Sequence, residues 1–269
     1  MSRQTPQDRE VNIRLRHAIV RPPALNFADG LTTVDLGVPD YERALAQHAA
    51  YCEALERCGL ALTRLARDAR HPDSTFVEDT AILTPRGAIL TRPGAPSRAG
   101  EVEEIRGALS PFYPGFDRIE PPGTLDGGDI CEAEDRFFIG ISERTNEEGA
   151  RQLAAILVRD GYTPVLVDIR GVEGILHLKS GIACVGEGRL VAIDALAHDP
   201  ALRNHEVIPV EPAEGYAANC VRVNDRVLVA AGHPRLEAAL QRLGYDTLPL
   251  EMSEFRKMDG GLSCLSLRF

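Results

Sequence analysis

Short apolar runs, three to six residues long and separated by turn-forming residues, recur along most of this chain. His17-Ala18-Ile19-Val20-Arg21 reads as a strand, stopped by Pro22-Pro23. Residues 24–39 are rich in Gly, Asp and Thr around Asn26-Phe27-Ala28-Asp29-Gly30. That is long for a plain connection and marks either a lid over a site or an ordered surface loop. Asp40 can cap a helix running to about Cys58, with Leu45, Ala49, Cys52 and Leu55 on one face and Gly59 as its stop. Leu60 to Leu65 reads as a strand.

Beyond this point the pattern repeats. Asp79 to Thr84 and Ala88 to Thr91 are two strands around a Pro85-Arg86-Gly87 turn, followed by a helix near 100–109 and a strand near 117–120. A second copy runs from Asp129-Ile130-Cys131 through Phe137 to Gly140. Its helix opens on the capping pattern Thr145-Asn146-Glu147-Glu148 and ends near Gly161, and Val165 to Val167 closes it. A third copy begins at His177, with strands at 182–185 and 190–193 and a weak helix near 200. A fourth begins near Asn219-Cys220, with strands at 221–223 and 227–229, a helix from Pro234 to Gly244, and a strand from Thr247 to Leu250. The fifth is split between Cys264 to Phe269 at one end of the chain and His17 to Leu65 at the other.

The starts Asp79, Asp129, His177, Asn219 and Cys264 lie 42 to 50 residues apart. A strand–turn–strand–helix–strand unit at that period predicts a propeller-like array. The split unit favours a closed ring, because joining the termini hides the open edges. An α/β sandwich without rotational symmetry is the other architecture the pattern allows. On this reading the chain is one domain, with residues 1–14 as a loose leader.

Composition narrows the function. The net charge is −10 with no long basic run, which argues against a nucleic-acid partner and suits a small cationic ligand. No apolar run approaches the ~20 residues that span a bilayer. The first seventeen residues lack the apolar core of a signal peptide, so a soluble cytoplasmic protein is expected. The six cysteines are scattered without metal-site spacing, and in that setting they should be reduced.

A ring would bring the first-strand starts to one mouth near the axis: Glu78-Asp79, Asp126-Gly127-Gly128-Asp129, His177, Asn219 and Cys264. Taken singly, Asp126 and Asp129 could simply bond the Gly-Gly turn, and His177 and Cys264 could be core residues. Their recurrence at one phase points instead to a nucleophile, an acid/base and an orienting carboxylate.

Phe76-Val77-Glu78-Asp79, Asp126-Gly127-Gly128-Asp129, Arg144-Thr145-Asn146, His177-Leu178-Lys179-Ser180, Ala217-Ala218-Asn219-Cys220 and Asp259-Gly260-Gly261-Leu262-Ser263-Cys264 together resemble the dimethylarginine dimethylaminohydrolases of the pentein, or guanidine-modifying, superfamily. The resemblance covers nearly the whole chain from about His17. It implies a five-bladed αβ propeller and hydrolysis of Nω-methylated arginine to citrulline and a methylamine through a covalent thiouronium, with no metal or organic cofactor. It implies Cys264 as nucleophile, His177 as acid/base and Asp126 as its carboxylate partner. Glu78 and Asp79 would hold the guanidinium, with Asp73 as a further polar contact. Arg98 and Arg144 would anchor the substrate carboxylate. Backbone carbonyls near Phe27 and Met258, beside Asp259, would meet the α-ammonium. Asp126 stands where many relatives have Glu, and Phe27 where Leu is frequent. The reading leaves room for a homodimer. Its rivals are an arginine deiminase or amidinotransferase of the same superfamily, a non-catalytic pentein that binds a macromolecule, and a metal-binding module built on Cys264 and His177.

Overall fold

The structure, a computed structural model, describes residues 14–269, so the expected leader lies outside it except for Arg14. The chain opens with β1 (His17–Val20), α1 (Tyr41–Arg57) and β2 (Ala61–Arg64). Asp40 caps α1, its carboxylate accepting from the amide of Arg43 at 2.9 Å, and Gly59 follows the helix at φ +92°. Next come β3 (Ala81–Thr84), β4 (Gly87–Leu90), α2 (Val102–Leu109) and β5 (Phe116–Arg118). They are followed by β6 (Ile130–Ala133), β7 (Arg136–Ile141), α3 (Glu147–Arg159) and β8 (Thr163–Asp168). Asn146 caps α3 through a 2.8 Å bond from the amide of Gly149.

The third unit contains α4 (Leu178–Gly181), β9 (Ile182–Gly186), β10 (Arg189–Ile193), α5 (Asp194–Ala197) and β11 (Glu206–Val210). The weak helix expected near 200 is thus one short turn, α5, and a 3-10 turn at Pro200–Leu202. The fourth unit contains β12 (Val221–Val223), β13 (Arg226–Ala230), α6 (Pro234–Arg242) and β14 (Asp246–Leu250). The chain ends with α7 (Ser253–Arg256) and β15 (Leu267–Arg268). No helix among the described residues is long and apolar enough to cross a membrane.

These strands form five three-stranded sheets, β15-β1-β2, β3-β4-β5, β6-β7-β8, β9-β10-β11 and β12-β13-β14. In every sheet the middle strand runs antiparallel to the first and parallel to the third. The antiparallel pairs close through tight turns, with Glu134, Glu187 and Asn224 at φ near +55° in three of them. The parallel pairs need a crossover, which the helix of the unit supplies.

Each unit shares one apolar cluster with each of its two neighbours. Leu228 packs with Ala18, Val185 with Val227, Ile82 with Ile130, Cys131 with Ile182, and Leu90 with Ile19 and Leu267. The clusters therefore run around a full circle, and the molecule is a five-bladed αβ propeller. The termini close it, with Ala18 opposite Arg268 and Ile19 opposite Leu267.

One expectation changes. The run from Cys264 to Phe269 is not a strand from its start. Cys264 sits in a 3-10 turn, Ser263–Leu265, and only Leu267–Arg268 pair as strand. A 3-10 turn also precedes the other first strands at Val77–Thr80, Gly127–Asp129 and Pro212–Ala218, and the single turn of α4 does so at Leu178–Gly181. These turns pack against one another at one end of the ring.

Candidate active site

The turns before the first strands frame a cleft enclosing about 350 Å³ of empty space. Asp73, Asp79, Arg98, Asp126, Arg144, His177, Met258 and Asp259 line it. Of the residues expected from sequence, Glu78, Cys264 and Phe27 lie outside that lining.

His177 caps α4, and its Nε2 lies 3.0 Å from Oδ2 of Asp126, which is fully buried. The other carboxylate oxygen of Asp126 accepts from the amide of Gly94 at 2.8 Å. The carboxylate is thus fixed at both ends. Burial disfavours an imidazolium here, but Asp79, Asp129 and Asp126 outweigh it and push the His177 pKa up to about 9. Asp129 does not face the cleft. It accepts from the amide of Leu178 at 2.9 Å and from the hydroxyls of Ser142 and Thr145 at 2.7 Å each, tying the second unit to the start of the third.

The paired glycines between the two aspartates have a steric cause. A Cβ on Gly127 would meet the carbonyl of Glu78 at 2.1 Å. One on Gly128 would lie 2.8 Å from the imidazole of His177 and 2.9 Å from Asp79. Only glycine lets the turn pass between these groups, and the Gly128 amide uses the approach to donate to Asp79 Oδ1 at 2.8 Å.

Arg98 is only 5% exposed. Its guanidinium donates to Asp79 Oδ2 at 2.5 Å, to both oxygens of Glu101, and to the carbonyl of Phe76 at 2.9 Å. Arg144 is the opposite case. It is half-buried, lines the cleft, and makes no side-chain hydrogen bond or ion pair among the described residues. The cleft therefore has a carboxylate-rich wall at Asp79 and Asp126 and an uncommitted cation at Arg144.

Cys264 is half-buried, and its Sγ accepts from the amide of Gly261 at 3.4 Å. Burial and the carboxylates of Glu78 and Asp79 push its thiol up to about 12. Glu78 stands behind it rather than in the cleft. One carboxylate oxygen accepts from Ser263 Oγ at 2.7 Å, and the other meets Lys179 Nζ at 2.6 Å and Arg268 at 2.9 Å. Asn219 completes this layer, donating to the carbonyl of Lys179 at 2.8 Å and to Ser263 Oγ at 3.0 Å while accepting from the Ser263 amide at 2.9 Å.

Phe27 does not line the cleft. It is 1% exposed and packs against Phe76 and Phe255, and its carbonyl accepts from the amide of Gly30 at 3.2 Å. Leu31, four residues on, lines the cleft instead, and its amide donates to Asp73 at 3.0 Å. Sequence reasoning also passed over Phe76, Leu176 and Gly260 in the lining and the buried partner Glu101. Leu31 and Leu176 carried no signal, since neither belongs to a periodic apolar pattern. Glu101, three residues after Arg98, was within reach of helical spacing.

Asp79, Asp126 and His177 offer ligand atoms within 4.8 Å of one another, the one set among the described residues that could hold a metal ion. Its oxygens are already committed to Arg98, Gly128, Gly94 and His177.

A family model described as arginine deiminase matches residues 70–213. The N(G),N(G)-dimethylarginine dimethylaminohydrolase of Pseudomonas aeruginosa is 48% identical over 94% of this chain and 99% of its own length. That of Streptomyces coelicolor is 34% identical over 94% of this chain and 96% of its own. A solved structure of the Pseudomonas aeruginosa protein complexed with citrulline superposes with a TM-score of 0.92 at 47% identity, covering 95% of this chain and all of that one. The N-terminal domain of ArgZ, a cyanobacterial arginine dihydrolase, shares the fold at 19% identity with a TM-score of 0.84. Half of the chain matching the deiminase model and nearly all of it matching these relatives place it in one family within the guanidine-modifying enzymes: the chain belongs to the dimethylarginine dimethylaminohydrolase family.

Proposed function

We propose that the protein hydrolyses free Nω-methylated L-arginine to L-citrulline and mono- or dimethylamine. The observation that carries this reading is the mixed charge of the cleft. The carboxylates of Asp73, Asp79, Asp126 and Asp259 line it together with the guanidinium of Arg144, which has no side-chain partner among the described residues. A free methylated arginine presents complementary groups, a guanidinium at one end and an α-carboxylate at the other. The family relationship supports the same substrate.

Cys264 is the nucleophile in this scheme. In the empty site the thiol is neutral and His177 is an imidazolium. A guanidinium bound against Asp79 neutralises the field that holds the thiol protonated, which favours the thiolate. Sulfur attacks the central guanidinium carbon to give a tetrahedral adduct. With Nε2 held by Asp126, Nδ1 of His177 delivers a proton to the methylated nitrogen, and the C–N bond breaks with loss of the amine. Neutral His177 then takes a proton from water as its oxygen attacks the thiouronium carbon. Collapse of that adduct forms the C=O bond as the C–S bond breaks, passes the hydroxyl proton to the released amine or solvent, releases citrulline and restores the thiolate beside an imidazolium.

Met258 and Asp259 would face the α-ammonium, with the 24–39 segment as a lid. Leu31 replaces Phe27 as its cleft contact. Arg98 serves this scheme by fixing Asp79. A cytoplasmic setting belongs to the reading and suits six cysteines that are all unpaired. A homodimer is its open assembly question, which sedimentation at micromolar concentration answers.

The test is a product assay with arginine, monomethylarginine and asymmetric dimethylarginine. Citrulline from the methylated substrates, with little from arginine, is the expected result. Citrulline from arginine alone would favour a deiminase, and ornithine would favour amidino transfer.

A further inference from the structure

A second cleft, spanning about 660 Å³ of empty space, is bordered by the same 252–260 segment that borders the catalytic one. Leu36 of the candidate lid, Ala230, Ala231 and Met252 give it apolar walls. Tyr216 and Arg256 give it a distinctive floor. The guanidinium of Arg256 lies 4.9 Å from the centre of the Tyr216 ring. It is exposed and pairs with no carboxylate among the described residues. The other charges at the rim are engaged. Lys257 meets Glu254 at 2.7 Å, and Glu251 lies 4.0 Å from Arg43. His233 adds a second ring, 6.0 Å from that of Tyr216.

A flat apolar body could lie between these walls, with its negative charge against Arg256. A guanidinium already stacked on an aromatic face is pre-oriented for a carboxylate or sulfonate in its plane. A cationic ligand would meet Arg256 unshielded, and a neutral one would leave it unused.

The cleft is wired to the catalytic site by Tyr216. Its ring faces the second cleft, while its hydroxyl donates to the carbonyl of Gly260 at 2.9 Å, and Gly260 lines the catalytic cleft. A second link runs through the lid. Thr33 Oγ1 donates to Asp259 at 2.9 Å and Thr32 to the carbonyl of Lys257 at 3.0 Å, so the segment carrying Leu36 is fastened to the same loop. We propose that the second cleft binds a planar organic anion and that its occupancy is transmitted to Cys264 through Tyr216 and the lid. The ligand class is an aromatic or otherwise flat monoanion, with Arg256 as the charge contact.

The test uses 1-anilinonaphthalene-8-sulfonate as the anion and N-phenyl-1-naphthylamine as its neutral counterpart. Saturable one-to-one binding is expected for the anion, read by fluorescence, with affinity about tenfold or more weaker for the neutral probe. Arg256→Ala should weaken the anion by a similar factor, the range for a hydrogen bond to a charged group. Coupling is read as the rate of Cys264 alkylation by iodoacetamide, followed by mass spectrometry, which needs no turnover and so stands apart from the hydrolase reading. Saturating probe should change that rate by about fivefold or more, the lower range of coupling between sites. Tyr216→Phe should keep the binding and lose the effect. Equal binding of the neutral probe, undiminished binding by Arg256→Ala, displacement by citrulline, or an unchanged alkylation rate would each overturn the proposal.

Discussion

Asp126 is one carbon shorter than the glutamate frequent at its position, yet it reaches His177 at 3.0 Å. The Gly94 amide on its other oxygen holds the shorter arm in place. The pair governs the pH response. With the thiol pushed up to about 12 and the imidazole to about 9, the working form, thiolate beside imidazolium, is the minor one of two tautomeric pairs. Log kcat/KM should rise with unit slope through neutral pH and level off near pH 9, where His177 begins to lose its proton. Asp126→Asn removes one of the charges that hold that proton, so the bend should move to lower pH; an unmoved bend would detach the profile from His177. Cys264→Ser should abolish turnover with the fold intact. His177→Ala should cost at least the ~10²–10⁴-fold typical of an acid/base group, read in kcat with KM little changed. The two arginines should now part company. Arg144→Ala should weaken substrate binding by about 1.5–3 kcal/mol at unchanged Tm. Arg98→Ala leaves Asp79 and Glu101 buried without their cation and should destabilise the fold itself, by about 3–5 kcal/mol in urea denaturation. Equal melting of the two variants would return Arg98 to a purely binding role.

The decisive elements are short turns rather than the helices and strands they precede. Val77–Thr80, Gly127–Asp129, Leu178–Gly181 and Ser263–Leu265 each end in a first strand, so a rigid sheet anchors each while its side chains remain at the mouth. Segment 31–34 joins this layer by thin contacts. Thr33 bonds Asp259 twice, through its amide at 2.5 Å and its hydroxyl at 2.9 Å, and Asp259 holds φ +55° to accept them. The exposed Leu31, Val34, Leu36 and Val38 bury little. Such a segment opens at small cost. Asp259→Ala should therefore raise KM and speed proteolysis within 31–38 without lowering global stability. A large fall in Tm would mean that the segment is part of the core.

Across the whole molecule, the last three residues complete the split sheet. Leu267 and Arg268 pair with β1, Phe269 exchanges backbone hydrogen bonds with His17 at 2.7 and 3.0 Å, and its ring lies 5.5 Å from that of His17 and 4.9 Å from that of Phe112. Arg268 reaches inward to Glu78 behind Cys264. Removing Leu267 to Phe269 should unseat the cluster around Leu90 and Ile19 and the Glu78 layer together, giving a cooperative loss of fold rather than a loosened end. Unfolding of this variant at a near-native denaturant midpoint would show that the other four sheets suffice. His177 also ties stability to pH. Its pKa rises on folding from 6.5 to about 9. It therefore contributes stability fully below pH 6.5, and this is lost as pH climbs through about 9. Tm should fall across that window, and His177→Ala should flatten the slope.

What the sequence determined by itself was periodic. Strand, turn and helix alternation is local, because hydrophobic spacing and residues such as Asp40, Asn146 and Gly59 act within one or two turns of chain. The five units, the split fifth and the phase of Asp126, His177 and Cys264 were all legible for that reason. Tertiary structure alone decided which charges meet. Arg98 was expected at the substrate carboxylate, and the fold turned it against Asp79 and Glu101. Glu78 and Asp79 are neighbours in sequence, yet one faces the cleft while the other is held by Lys179 and Arg268 from distant units. Phe27 and Leu31 lie four residues apart in one loop, and which of them reached the cleft depended on the aromatic packing of Phe76 and Phe255 beneath. Such choices depend on burial and on partners contributed by other blades, so they exist only once the ring has closed.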